Sequence, residues 1–252
     1  MIQIPVIRFS VLSASLVLLL AMTSAASDFT LGIFGNANMD RTIDEKDIAF
    51  VEDVIVGKNA ATNLSDANCD GNIDSLDIER IKEIMIGSEK EITITCNSPY
   101  KVLYPMVTVQ RPVERIVVLH EKAAEAIRAL QAEDKLVRID SNSTNRGTFL
   151  SDLINAVPSI GSWMEPDIES ILRAYPDIVI AGTQHPSPSL LEDKLDGTGI
   201  SVVRMDLDQP ITMEEEIMRL AYILDKIEPA KEFIYFYKGY LDKIVNRTET
   251  LP

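Results

Sequence analysis

Oxygen-bearing side chains recur at a fixed stride, twice, near the start of the chain. Asn36, Asn38, Asp40, Thr42, Asp44 and Asp47 fill positions 1, 3, 5, 7, 9 and 12 of one twelve-residue loop. Thirty residues later Asp66, Asn68, Asp70, Asn72, Asp74 and Asp77 fill the same positions of a second. This is the stride of an EF-hand-like loop, in which a hard cation such as calcium collects six to eight oxygens at about 2.3–2.6 Å. Thr42 and Asn72 would contribute main-chain carbonyls, and Asp74 would act through water. Two calcium sites are expected, the second the tighter. The second loop has four carboxylates against three. It also has Gly71 at position 6, where the first has Arg41. A positive φ at Arg41 would cost on the order of 1 kcal/mol.

These loops need elements to hold them. Each is followed by a helical pattern that ends at a glycine, Gly57 or Gly87. Ile48, Val51 and Ile55 share one helical face, and Ile78, Ile81 and Met85 share the other. Neither short helix is stable alone, so the two faces are expected to pack together. Residues 32–88 resemble a type I dockerin module, although no amphipathic helix precedes either loop and position 12 is Asp rather than Glu. The resemblance implies a small all-α, calcium-folded unit that docks on a cohesin-like domain. It places the recognition positions at Glu45-Lys46 and Ser75-Leu76. These differ between the repeats, which argues against symmetric docking.

Charge agrees with a metal-binding front. The chain of 252 residues has a formal net charge of −15, and residues 28–91 hold 15 acidic against 6 basic side chains. Such a balance argues against nucleic-acid binding, which needs a basic face. Residues 1–26 read as a signal peptide, with Arg8, an apolar run from Val11 to Met22, and Ser24-Ala25-Ala26 as a cleavage site. Export follows whether the segment is cleaved or kept as a membrane anchor. Only Cys69 and Cys96 are present. Export permits them to pair, and two free thiols are the plainer expectation. Sequons at Asn63, Asn142 and Asn246 agree with export.

The pattern changes after Gly87, and residues 92–252 read as a second unit beyond a first unit at 28–91. Ile92–Thr95 alternates like a strand that pairs with Val102–Val109. Short apolar runs at Arg115–Leu119, Leu136–Asp140, Asp177–Ala181 and Ile200–Met205 alternate with helices at Ala123–Leu130, Ile168–Ala174 and Ser189–Leu195. This alternation predicts a parallel, Rossmann-like α/β lobe with helices on both faces and ligands beyond the carboxyl ends of its strands. Two more helices follow. Thr212 is expected to cap the first, with Glu214, Glu215 and Glu216 in its opening turn. The second runs from about Glu228 to Arg247.

This stretch resembles the first lobe of the solute-binding proteins of ABC importers that carry ferric siderophores, haem or vitamin B12. The markers are Pro112–Leu119, Ala129-Leu130 with Glu133–Val137, Val157–Gly161, and Pro166–Leu172 leading to Tyr175–Ile180. The resemblance implies a solute between two lobes, against loop residues His120, Asn142, Trp163, Gln184 and His185. It implies that Glu169 docks on the permease and that Glu228–Arg247 is the lobe-spanning helix. Gln131 and Arg138 depart from the family, which has glycine there. A second lobe is expected to be absent. His120 and Trp163 also have simpler roles open to them, as a helix cap and as a packing residue.

Two functions follow as expectations. The first is an extracytoplasmic solute-binding component for an iron chelate, haem or corrinoid, membrane-associated through its partners or an uncleaved anchor. The second is a calcium-dependent surface protein whose lobe holds no solute. No enzyme is expected, because zinc-type His/Cys spacing, a Gly-x-Ser-x-Gly elbow and a phosphate loop are all missing from the sequence.

Overall fold

The computed structural model describes residues 29–96, 100, 105–140 and 156–248. Helices α1 (Glu45–Ile55) and α2 (Ser75–Ile86) follow the two acidic loops, and strands β1 (Glu91–Thr95) and β2 (Met106–Gln110) pair antiparallel. A four-stranded parallel sheet follows, built from β3 (Ile116–Val118), β4 (Leu136–Ile139), β5 (Ile178–Ala181) and β6 (Ser201–Arg204) in the order β4-β3-β5-β6. Its helices are α3 (Glu121–Ala129), α4 (Ile168–Arg173), the single turn α5 (Glu192–Leu195), α6 (Met213–Leu224) and the long α7 (Ile227–Thr248). The fold is thus mixed α/β with a parallel sheet.

Alternation along the strands sends successive side chains to opposite faces. Val117, Val179, Ala181 and Val202 meet Ile171, Leu191 and Leu195 on one side. Ile116, Val118, Ile178, Ile180 and Val203 meet α3 and α6 on the other. That second layer continues without a break into the front of the chain. Leu31, Ile33, Val51, Ala67, Ile81 and Ile84 are buried in the same cluster as Ile217, Leu220 and Leu224 of α6. Burying each such Leu, Ile or Val side chain contributes about 1.5–3 kcal/mol.

Polar contacts run along the same junction. Residues 32–34 lie antiparallel beside β1, where Phe34 N donates to Thr93 O at 2.9 Å and Thr95 N to Gly32 O at 2.9 Å. Glu215 of α6 accepts from Gly32 N at 3.1 Å and pairs with fully buried Arg219 at 3.1 Å. Arg219 in turn donates to Thr95 O at 2.8 Å. Gly32 is required there, since a Cβ would collide with the Thr95 hydroxyl and press on Glu215. The Tyr222 hydroxyl of α6 accepts from Ile43 N at 3.3 Å, inside the first loop. Glu89 and Arg111 form a buried ion pair at the end of the junction.

Several local expectations need correction. Arg41 is not left-handed. The positive φ falls on position 4 of both loops, Met39 at 60° and Cys69 at 58°, and on Gly71 at 88°. In the second loop the Asp66 carboxylate accepts from Asp70 N and Gly71 N and draws the chain into that turn. In the first, the Asn36 amide faces inward, donating to Leu31 O and Asp40 O, and the backbone passes Arg41 without it. Ile55 is 45% exposed, because the last turn of α1 runs out into solvent with residues 56–61. Thr212 makes no side-chain cap, and its hydroxyl instead donates to Gln209 O at 3.5 Å and to Glu216 at 3.4 Å. The Ser189–Leu195 helix is divided at Leu191 into a 3₁₀ turn (Pro188–Leu190) and α5.

Other features match the reading. Gln131 has φ 55° just after α3, which explains the preference for glycine there. Cys69 and Cys96 are free thiols. The signal segment and the sequon at Asn142 lie outside the described residues.

Candidate functional site

The carboxyl ends of the parallel strands open onto a cavity of about 430 Å³, lined by residues that follow each strand: His120 and Glu121 after β3, Asp140 after β4, Gly182–His185 after β5, Asp206 and Asp208 after β6. Trp163, from the segment before α4, forms a side wall. Its ring meets His185 edge-on, with centroids 5.8 Å apart and planes at 75°.

The loop after β5 is fixed from two directions. Arg204, at the end of β6, donates to Gly182 O at 2.8 Å and Pro186 O at 2.7 Å while held by Glu192 at 2.6 Å. Tyr100 OH donates to Gln184 O at 3.0 Å. From the other side Asp206 accepts from Thr183 N at 2.8 Å and from its hydroxyl at 2.6 Å. Asp206 is itself placed by Glu216, which accepts from Asp206 N at 3.2 Å and Leu207 N at 2.8 Å. Burial raises the Glu216 carboxyl above its ordinary range, against these two hydrogen bonds. The chain of contacts from β6 and α6 leaves the Gln184 and His185 side chains exposed on a rigid loop. A pre-organised wall of this kind loses less entropy on binding.

His120 caps α3, its Nδ1 accepting from Ala123 N at 3.3 Å. That bond puts the proton of the neutral ring on Nε2. The Nε2 atom is buried and has no hydrogen-bond partner. Burial holds the imidazole below the ordinary histidine range, against the pull of the Asp206 carboxylate.

Of the cleft residues expected from the sequence, His120, Trp163, Gln184 and His185 all line this cavity. Asn142 lies outside the described residues. Glu169 stands apart, in the first turn of α4, 79% exposed and paired with Arg173 at 2.6 Å. The acidic lining of Asp140, Asp206 and Asp208 was missed. Its signal was available for two of the three: Asp140 and Asp206 directly follow apolar strand runs, as Ile139-Asp140 and Met205-Asp206.

The front loops repeat one hydrogen-bond pattern. Asp47 accepts from Asn38 N at 3.1 Å and Asp44 N at 2.8 Å, and Asp77 from Asn68 N at 3.2 Å and Asp74 N at 2.8 Å. Asp40 and Asp70 each accept from the N–H two residues on, Thr42 and Asn72, at 2.8 Å. Among the described residues no three His, Cys, Asp or Glu side chains converge as a metal group. The donor chemistry nonetheless fits a cation. Asn36 Oδ1 is buried without a partner, and burial pushes the Asp47 carboxyl up to about 6, against its two main-chain hydrogen bonds.

Sheet order, cavity position and a long closing helix together define an α/β lobe of the solute-binding type. A family model described as periplasmic binding protein matches residues 116–252. The chain belongs to that family. The match begins at Ile116, so both acidic loops stand before it. The iron-uptake system-binding protein of Bacillus subtilis (strain 168) is 32% identical over 96 residues, covering 38% of this chain and 29% of the relative. Among solved structures, the iron-uptake substrate-binding protein PiuA of Streptococcus pneumoniae is 26% identical with a TM-score of 0.51, over 63% of this chain and 54% of that one. The molybdate-bound protein MolA of Haemophilus influenzae is similar in fold, at 18% identity and a TM-score of 0.52, over 58% and 52%. The chain spans about half the length of these solved structures and under a third of the curated relative.

Proposed function

We propose that the chain is a solute-binding component of an ABC importer for an iron chelate, haem or corrinoid-type ligand, and that its front repeat binds calcium. The cavity over the strand ends carries this reading. It is large enough for part of such a ligand, and it is walled by Trp163 set against His185 of a fixed loop. The likeness to iron-uptake binding proteins supports it. The role is binding and delivery rather than catalysis. Glu169 is free of the cavity and suits a contact with the permease, so Glu169→Ala is expected to impair transport and leave solute binding unchanged.

Trp163 is the single tryptophan, which makes emission a direct report on the cavity. Titration with ferric chelates, haem and cobalamin is expected to give a saturable change with at least one, weakened in His120→Ala. Flat emission with all of them would overturn the solute-binding reading.

For the repeat, Asn36, Asn38, Asp40, Asp44, Asp47 and the Thr42 carbonyl would hold one calcium ion. Asp66, Asn68, Asp70, Asp74, Asp77 and the Asn72 carbonyl would hold the other, more tightly for its fourth carboxylate. Calcium supplies charge neutralisation there and nothing more. A second reading, docking onto a cohesin-like domain, draws support from Leu76, 51% exposed beside the second loop. Calcium-dependent binding of such a domain, lost in Leu76→Asp, would favour it.

A further inference from the structure

Of the three sequons, the one at Asn63-Leu64-Ser65 lies wholly within the described residues. Residues 62–65 form a tight turn, in which Ser65 N donates to Thr62 O at 3.3 Å. The other residues of the turn anchor it. Thr62 Oγ1 donates to Ala37 O at 2.7 Å, and Leu64 O accepts from Gly35 N at 2.8 Å, both partners in or beside the first acidic loop. Leu64 is buried, and so is Ser65, whose Oγ accepts from Thr62 N at 3.0 Å and lies 2.9 Å from Thr62 Oγ1. Asn63 alone stands out. It is exposed on the crown of the turn, and its amide makes no hydrogen bond among the described residues. A group attached to its Nδ2 leads into solvent and not into the core.

Modification of such a triplet needs two things: an amide that can be reached, and a free hydroxyl two residues on. The folded chain supplies the first and withholds the second, because Ser65 is fully buried. The hydroxyl is free at an earlier stage. The core beside this turn, with Ala67, Ile81 and Ile84, is shared with Ile217, Leu220 and Leu224 of α6. That core cannot close until α6, far downstream, has been made. The sequon stays open throughout the synthesis of the chain between them.

We propose that Asn63 carries an N-linked oligosaccharide, added before the front and the lobe close on each other. The amide nitrogen attacks the anomeric carbon of a sugar carried on a lipid phosphate. The C1–N bond forms as the C1–O bond to the phosphate breaks, the amide gives up one proton, and the lipid phosphate leaves. The modification depends on export and not on what the cavity binds, so it stands or falls separately from the solute-binding reading.

The full chain is isolated from the cells that make it, and the peptide spanning residue 63 is weighed by mass spectrometry. A saccharide mass on Asn63 is expected. It is absent in Asn63→Gln, which keeps its fold by circular dichroism. An unmodified Asn63 overturns the assignment. The order of events is tested on the bare chain, made in a host without N-glycosylation and offered to an oligosaccharyltransferase with a dolichyl-diphosphate-linked oligosaccharide. Glu215→Ala, which loosens the junction to α6, is expected to be modified roughly tenfold faster or more than the wild type. Equal rates overturn the claim that folding closes the sequon.

Discussion

Asn36 and Asp66 hold the first position of two loops whose remaining pattern is nearly the same. Asn36 is fully buried and its amide is spent on Leu31 O and Asp40 O. Asp66 is half-buried and gathers only main-chain N–H groups of its own loop. The difference extends outward. The first loop touches α6 through Ile43 N and Tyr222, and the strand-like segment before it is held by Glu215. Position 8 of the first loop, Ile43, is buried, and its counterpart Ile73 is not. A duplicated pattern has thus been put to two uses: one copy is part of the foundation of the lobe, and the other stands at its margin.

The sharpest way to break this comparison is at Glu215. Glu215→Ala leaves Arg219 as a buried charge without its carboxylate and frees Gly32 N, and is expected to cost about 3–5 kcal/mol. Urea unfolding measures it, and a loss under 1 kcal/mol would mean that the junction between front and lobe is not structural. Next come the paired variants at position 1. Asn36→Ala strands two buried carbonyls and is expected to cost about 2–3 kcal/mol in calcium-free buffer, while Asp66→Ala costs about 1 kcal/mol or less. Equal losses would erase the distinction between the copies.

The smallest effect concerns pH and contrasts the lobe's cavity with its foundation. Burial sets the folded pKa of His120 below its unfolded value of 6.5, opposed by Asp206, Asp140 and Asp208. The unfolded chain therefore takes up the proton first. Stability from this group is complete above about 6.5 and declines as pH falls from there towards the lower folded value. His120→Asn keeps an oxygen to cap α3 but removes the titration, so its melting temperature is expected to fall less between pH 7 and pH 5 than that of the wild type. Identical slopes would contradict this assignment.

The elements of the lobe were legible because periodicity and turn residues are local signals. The four parallel strands, the antiparallel pair and the long last helix all follow from runs such as Arg115–Leu119 and Asp177–Ala181. The cavity residues His120, Trp163, Gln184 and His185 were legible from strand ends and family likeness. What was not legible depends on contacts far apart in sequence. Nothing near Gly32 announces Glu215, and nothing in Glu214-Glu215-Glu216 distinguishes an exposed acidic first turn from three buried carboxylates committed to Lys238, to Gly32 with Arg219, and to the turn after β6. Arg41 shows the same limit, because the loop template assigns a left-handed residue to its position, and the inward rotation of Asn36 removes the need for it.

Trp163 lies in the cavity and the two acidic loops lie in the front, so thermal unfolding followed by Trp163 emission, with calcium and with a chelator, tests the joint core and the proposed calcium sites directly. If the two regions form one cooperative structure, removing calcium lowers the transition seen by Trp163 by on the order of 5–10 °C. A Trp163 transition that stays in place while helicity is lost elsewhere would contradict it.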